Sequence, residues 1–176
     1  MKTQIQIIGE SGSFPNNHNL PLILYREAAA AEKEGKGSNT SERLALLFES
    51  LFSGNDWPPA WRDGIYPYHH YHSTAHEALA VFSGSATVQF GGDGGPVMEA
   101  GPGDVVVIPA GVAHKLLSSE GELGIVGAYP EGQSPDMQYG KDGERPASDK
   151  RIAAVRLPRL DPVAAESGPV ATHWIA

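Results

Sequence analysis

"GIYPYHHYHSTAHEALAVFSG", residues 64–84, sets four histidines and a glutamate within nine positions, His69 to Glu77, of a chain with seven histidines in all. On an extended strand, alternate side chains share a face. Tyr66, Tyr68, His70 and His72 therefore point one way, and His69, Tyr71 and Ser73 the other. Two imidazoles at i and i+2 can converge on one ion from a pleated surface. A turn at "STAH" follows, and Glu77 opens the next strand, where it can return a carboxylate to the same point.

A third histidine comes from "GDVVVIPAGVAH", residues 103–114. Pro109 presets its φ for a turn and Gly111 can take a positive φ, which delivers His114 just beyond. Three neutral imidazoles and one carboxylate from three strands make a mixed N/O donor set. That set suits one divalent first-row ion (Fe, Mn, Ni, Co, Cu or Zn) and leaves positions open for water or substrate. His76 competes with Glu77 for the last place. Neighbours on a strand face opposite ways, so only one of the two reaches the ion.

These residues resemble the two motifs of the cupin superfamily. Gly64, His70, His72, Glu77 and Gly84 fill the first, G-x5-H-x-H-x3,4-E-x6-G, with the longer gap before the glutamate. Gly103, Pro109, Gly111 and His114 fill the second, G-x5-P-x-G-x2-H-x3-N, except that Ser118 stands where the asparagine falls. The resemblance implies an all-β fold, the double-stranded β-helix or jelly-roll barrel. It also implies metal ligation by His70, His72, Glu77 and His114. The spacing to Gly84 favours Glu77, leaving His76 behind the ligands or in the turn. The flanks "FPNNHNLPLILYR", "GAYPEGQSPD" and "LPRLDPV…GPV" look like the YjlB-like group of bacterial single-domain cupins, which implies no particular reaction.

Around the motifs the chain reads as one unit. Residues 62–129 alternate short strand-like runs with Gly-rich turns, a sandwich or barrel pattern. "GGDGG" at 91–95 lies between two such runs with no helix after it, so it reads as a hairpin and not as a phosphate loop. Residues 1–61 read as an extension with strands "TQIQII" and "LPLILYR", broken at Pro15 and Pro21. "EAAAAEKEGKGSN" starts helical and dissolves into loop. "NTSERLALLFESLFSGN" spaces Leu44, Leu47, Phe48, Leu51 and Phe52 as a helix, with Asn39 or Ser41 as cap and Gly54 as stop. Residues 130–176 read as a loop followed by two strands, "IAAVRLP" and "PVATHWI".

Composition narrows the function. A net charge of -8 and scattered basic residues disfavour nucleic acid and anionic membranes as partners. With no cysteine, thiolate chemistry, disulfides and Cys-ligated zinc are excluded. The N-terminus lacks a signal-peptide core and no run is long enough to span a bilayer, which points to a cytoplasmic protein. No G-x-S-x-G elbow occurs, so the ion is the expected source of chemistry.

The leading expectation is a metal-dependent enzyme acting on a small carboxylate or carbonyl compound, of dioxygenase, decarboxylase or isomerase type. In it Glu77 is both ligand and catalytic proton acceptor. The alternative is a non-catalytic module binding a small molecule or metal. Tyr66, Tyr68, His76 and Gln133 are the candidate pocket residues, with Gln133 and Asp136 on a loop over the barrel mouth. Trp57, Trp61 and Trp174 read as packing residues. The resemblance further implies a homodimer, which the N-terminal strands would suit.

Overall fold

In the computed structural model, which describes residues 1–29 and 40–175, seven strands form one antiparallel sheet. They are β1 (Lys2–Ile8), β2 (Asn17–Arg26), β3 (Pro59–Asp63), β4 (Glu77–Phe90), β5 (Val97–Ala100), β6 (Val105–Ile108) and β7 (His114–Ala128). The order across the sheet is β1-β2-β6-β4-β7-β3, with β5 paired to the far half of β4. Among the described residues three helices accompany it: α1 (Thr40–Gly54), α2 (Ala147–Ala154) and α3 (Pro169–His173).

Strand parity assigns the side chains to two cores. Ile23, Tyr25, Ala78, Ala80, Val105, Val107, Val126 and Ala128 face outward, against Leu44, Ala45, Phe48 and Phe52 of α1, with Trp57 and Trp174. Their neighbours Leu22, Leu24, Leu79, Val81, Val106, Ile108 and Ile125 face inward with Val88 and Phe90. Both faces of these strands are therefore buried. That is why "VVVI" and "LILY" read as continuous apolar runs and not as alternation.

Two pairs of short runs merge into single long strands. "EALAVFSG" and "SATVQF" are both β4, while "AHKLLSS" and "LGIVGAY" are both β7. The long pair bends where its register slips, near Ser83 and Ser85 opposite Gly124 and Glu120. Gly84 stands at that bend with φ +63, and a Cβ there would lie 2.8 Å from the Glu120 and Glu122 carbonyl oxygens. Only glycine combines that dihedral with so close an approach.

The ends of the chain differ from their sequence reading. Residues 1–29 are integrated into the sheet: β2 pairs with β6, and Leu22 to Tyr25 are fully buried. Pro21 lies inside β2, in the register gap between Gln6↔Leu22 and Ile8↔Asn17, where β1 asks no N–H of it. The two C-terminal strands are absent. "ASDKRIAA" is α2, rich in Ala, Lys and Arg, and Pro169 stands at the first turn of α3, whose missing N–H costs nothing there. Trp174 closes α3 by donating its indole N–H to Pro21 O at 2.9 Å. α1 begins at Thr40, so Ser41 lies within the helix. Asn39 and most of the loop reading at "EAAAAEKEGKGSN" lie outside the described residues. Among the described residues no helix is long and apolar enough to cross a membrane.

Candidate metal centre

The histidine segment is extended but is not a regular strand. It is threaded between the start of β7 and the loop at 134–139. His70 and His114 exchange main-chain hydrogen bonds at 3.2 and 3.0 Å, and Tyr71 and Gln138 do the same at 2.9 and 3.0 Å. Two residues on from His70, His72 O accepts from Gly111 N at 2.8 Å, which ties the segment to the Pro109–Gly111 turn. Gly111 has φ +94, and a Cβ there would lie 2.5 Å from Asn16 O. The turn that launches His114 therefore packs against main chain from the N-terminal hairpin.

Parity then directs the side chains. Glu77 shares the inward face with Leu79 and Val81, while His76 faces outward onto Trp174 with ring centroids 4.6 Å apart. His70, His72 and His114 are all buried and each offers a ring nitrogen, the three lying within 4.8 Å of one another. Glu77 Oε2 sits 3.5 Å from His72 Nε2 and 3.3 Å from His114 Nε2. A cavity of about 450 Å³ opens onto this cluster, walled by Trp61, Ile65, Leu79, Pro135 and Met137.

The three imidazoles are oriented from behind. The Nδ1 atoms of His70, His72 and His114 face the carbonyls of Tyr68 (3.2 Å), Asp136 (2.6 Å) and Val112 (3.3 Å). A carbonyl only accepts, so each proton sits on Nδ1 and each Nε2 turns a lone pair inward. Second contacts of this kind set the tautomer of metal-binding histidines. Glu77 Oε2, buried without a hydrogen-bond donor, is the remaining acceptor aimed at the same space. Three inward-facing Nε2 atoms, with a carboxylate oxygen beside two of them, make a donor set that fits a divalent cation.

Comparison with known proteins agrees. Residues 62–124 match the Cupin domain family. Over 174 residues the chain is 36% identical to YjlB of Bacillus subtilis (strain 168), described as an uncharacterized protein; the match covers 99% of this chain and 98% of YjlB. The chain belongs to the cupin superfamily. Two solved structures also match parts of this cupin. An 11S globulin from Wrightia tinctoria, whose description mentions an auxin-binding site, is 18% identical with a TM-score of 0.34 over 44% of this chain; the cupin spans only 21% of that chain. A DUF861 family protein from Thermotoga maritima is 22% identical with a TM-score of 0.31, over 53% of this chain and 92% of its own.

The electrostatics of the cupin site follow from burial. His70 is pushed down to about 3, first by burial and then by His114 beside it. His72 moves up: burial opposes its cation, but the Glu77 carboxylate outweighs burial. Glu77 is buried yet held below the usual carboxylate range by His72 and His114. His76 is pushed down to about 3 by burial, so it stays neutral and accepts from Ala110 N through Nδ1 at 2.9 Å.

The other candidate residues separate. Tyr66 lines the cavity; Tyr68 does not, but stacks on Tyr66 with centroids 5.0 Å apart at the mouth. Both are exposed, so neither is a core aromatic. His76 and Gln133 are not pocket residues. His76 faces the outer core, and Gln133 bridges His76 N to Arg156 O as a strut for the C-terminal segment. Asp136, in the same loop, holds His72 through its carbonyl. Its carboxylate accepts from Ser73 N and Oγ, from Thr74 Oγ1 and from Gln138 Nε2. Trp61 is not simple packing, since it lines the cavity. Tyr129, which sequence reading passed over, lines it too. A parity signal for Tyr129 existed: at the end of "LGIVGAY" it is in step with the inward Ile125.

Proposed function

We propose that this cupin is a metal-dependent enzyme acting on a compact carbonyl or carboxylate compound, with His70, His72, Glu77 and His114 as the ligands of one divalent first-row ion. The observation that carries this is the set of inward lone pairs fixed from behind at the floor of a cavity. When bound, such an ion supplies Lewis-acid polarisation of a carbonyl oxygen or activation of water or dioxygen. The chain supplies the rest. The Nδ1 contacts fix the tautomer and orientation of the three imidazoles and keep each Nε2 aimed inward. The walls at Trp61, Ile65, Leu79 and Met137 exclude water from the reacting atoms, which strengthens every charge interaction there. Glu77, the carboxylate at the floor, is assigned the role of proton acceptor from the substrate when it is displaced from the ion.

The alternative is a module that binds a small ligand without turnover. A screen separates the two: purified protein reconstituted with Fe, Mn, Ni, Co, Cu or Zn in turn, assayed for oxygen uptake, carbon dioxide release and product formation. Turnover that follows the metal and disappears in Glu77→Gln supports the enzyme. Thermal stabilisation by ligand with no product under any metal supports the module. The reading extends to a homodimer, because β1 is an edge strand whose Ile5 and Ile7 are exposed. Sedimentation as a monomer would remove that part.

A further inference from the structure

Beyond the metal floor, the cavity has a wall with an unusual charge pattern and one placed donor. Among the described residues that line it none is lysine or arginine, and its acid at the mouth, Asp63, adds negative charge. A carboxylate lying away from the metal floor therefore meets no counter-ion. Desolvating it against Trp61, Ile65, Leu79 and Met137 would be uncompensated.

The placed donor is Tyr129. β3 pairs with β7 so that Trp61 lies opposite Gly127, and a Cβ at Gly127 would overlap the Trp61 ring. The missing side chain lets the indole lie against β7. From there Trp61 Nε1 donates to Tyr129 Oη at 2.9 Å. The phenol's own O–H faces the Glu77 carboxylate at the floor of the cavity it lines. The ring also stands edge-on to His72, centroids 5.8 Å apart, which sets the hydroxyl beside the ligand cluster.

We propose that Tyr129, oriented by Trp61, is the hydrogen-bond donor that fixes a substrate oxygen next to the metal floor, and that the cavity selects a substrate whose remaining body is uncharged and apolar. The proposal rests on the metal reading above and adds the substrate class to it. Tyr129 is a positioning and specificity residue in this scheme. No proton leaves it.

The test uses protein loaded with a redox-inert ion, Zn or Ni, and two probes that share a 2-oxo acid head: phenylpyruvate, with an apolar body, and α-ketoglutarate, with an anionic one. Calorimetric titration is expected to give phenylpyruvate at least tenfold the affinity of α-ketoglutarate. Tyr129→Phe should weaken phenylpyruvate about three- to tenfold, the range one net hydrogen bond supplies, while metal content and melting temperature stay at wild-type values. Trp61→Phe, which keeps a ring but loses the indole donor, should weaken it by a smaller factor in the same direction. Equal phenylpyruvate affinity in wild type and Tyr129→Phe would overturn the donor role. Tighter binding of α-ketoglutarate would overturn the selectivity. Failure of the metal reading shows separately, as wild-type protein that takes up no ion.

Discussion

His70, His72 and His114 each hand Nδ1 to a main-chain carbonyl, so the site is fixed by backbone as much as by side chains. The most elaborate support belongs to His72. Its carbonyl partner is Asp136, whose carboxylate is gripped by Ser73, Thr74 and Gln138, with Arg151 Nε donating to Ser73 Oγ at 2.6 Å. Removing that grip lets the carbonyl drift. Asp136→Ala is therefore expected to lower metal affinity ~10–100-fold, the usual effect of losing an outer contact to a ligand, read by competition with a chromophoric chelator; unchanged affinity would mean the loop is held by something else. At this scale the four floor residues were legible because strand parity and two fixed spacings converge on them. Gln133 was misplaced because loop position alone says nothing about which way an amide reaches. Tyr129 and Trp61 were missed because their meeting depends on the β3–β7 pairing, made across 68 residues of chain.

Among the elements, two glycines at positive φ separate stability from site geometry. Gly84 bends the β4–β7 pair far from the cluster, whereas Gly111 shapes the turn that launches His114. Alanine at either position is strained, by about 1–3 kcal/mol for a residue held in a disfavoured region. Urea unfolding should report that loss for both. Metal affinity should fall for Gly111→Ala alone, because only there does main chain, Asn16 O, have to move beside a ligand. Equal metal affinity in the two variants would contradict this division. The strands themselves were readable as apolar runs, but their mergers were not. A glycine that bends a strand and one that ends it look alike in sequence. The sequence reads as strand over α3 and the last three residues of α2 and as loop over the rest of α2, since runs this short carry no clear period. What decides them is local: Ala, Lys and Arg in α2, and Pro169 at the start of α3.

For the whole molecule, the sheet packs one face on α1 and the C-terminal segment and closes the other around the site. The fold family was legible from the motifs; the integration of both chain ends was not, because it arises from long-range contacts such as Trp174 to Pro21. The loop across the cavity mouth is tied to this body by Glu144, whose carboxylate accepts from Tyr139 N and Gly140 N at 2.8 Å and from Tyr71 Oη at 3.0 Å. Burial works against that carboxylate, yet the hydrogen bonds outweigh it and hold its pKa below the ordinary 4.5. A carboxylate lowered on folding stabilises above its unfolded value, and the contribution disappears as pH falls through the folded one. Stability should thus decline on acidification below about pH 4.5, and Glu144→Gln should flatten part of that decline in urea midpoints taken across pH. Parallel profiles for variant and wild type would remove Glu144 from the account.

The central claim is that His70, His72, Glu77 and His114 share one metal ion. Elemental analysis of untagged protein, prepared without chelators or nickel resin and then exposed to each first-row divalent ion, tests it most directly. The account predicts about one equivalent per chain, lost in His70→Ala and in His114→Ala while both variants stay folded. Wild-type protein that binds none of these ions, or a His114→Ala variant that keeps a full equivalent, would contradict it.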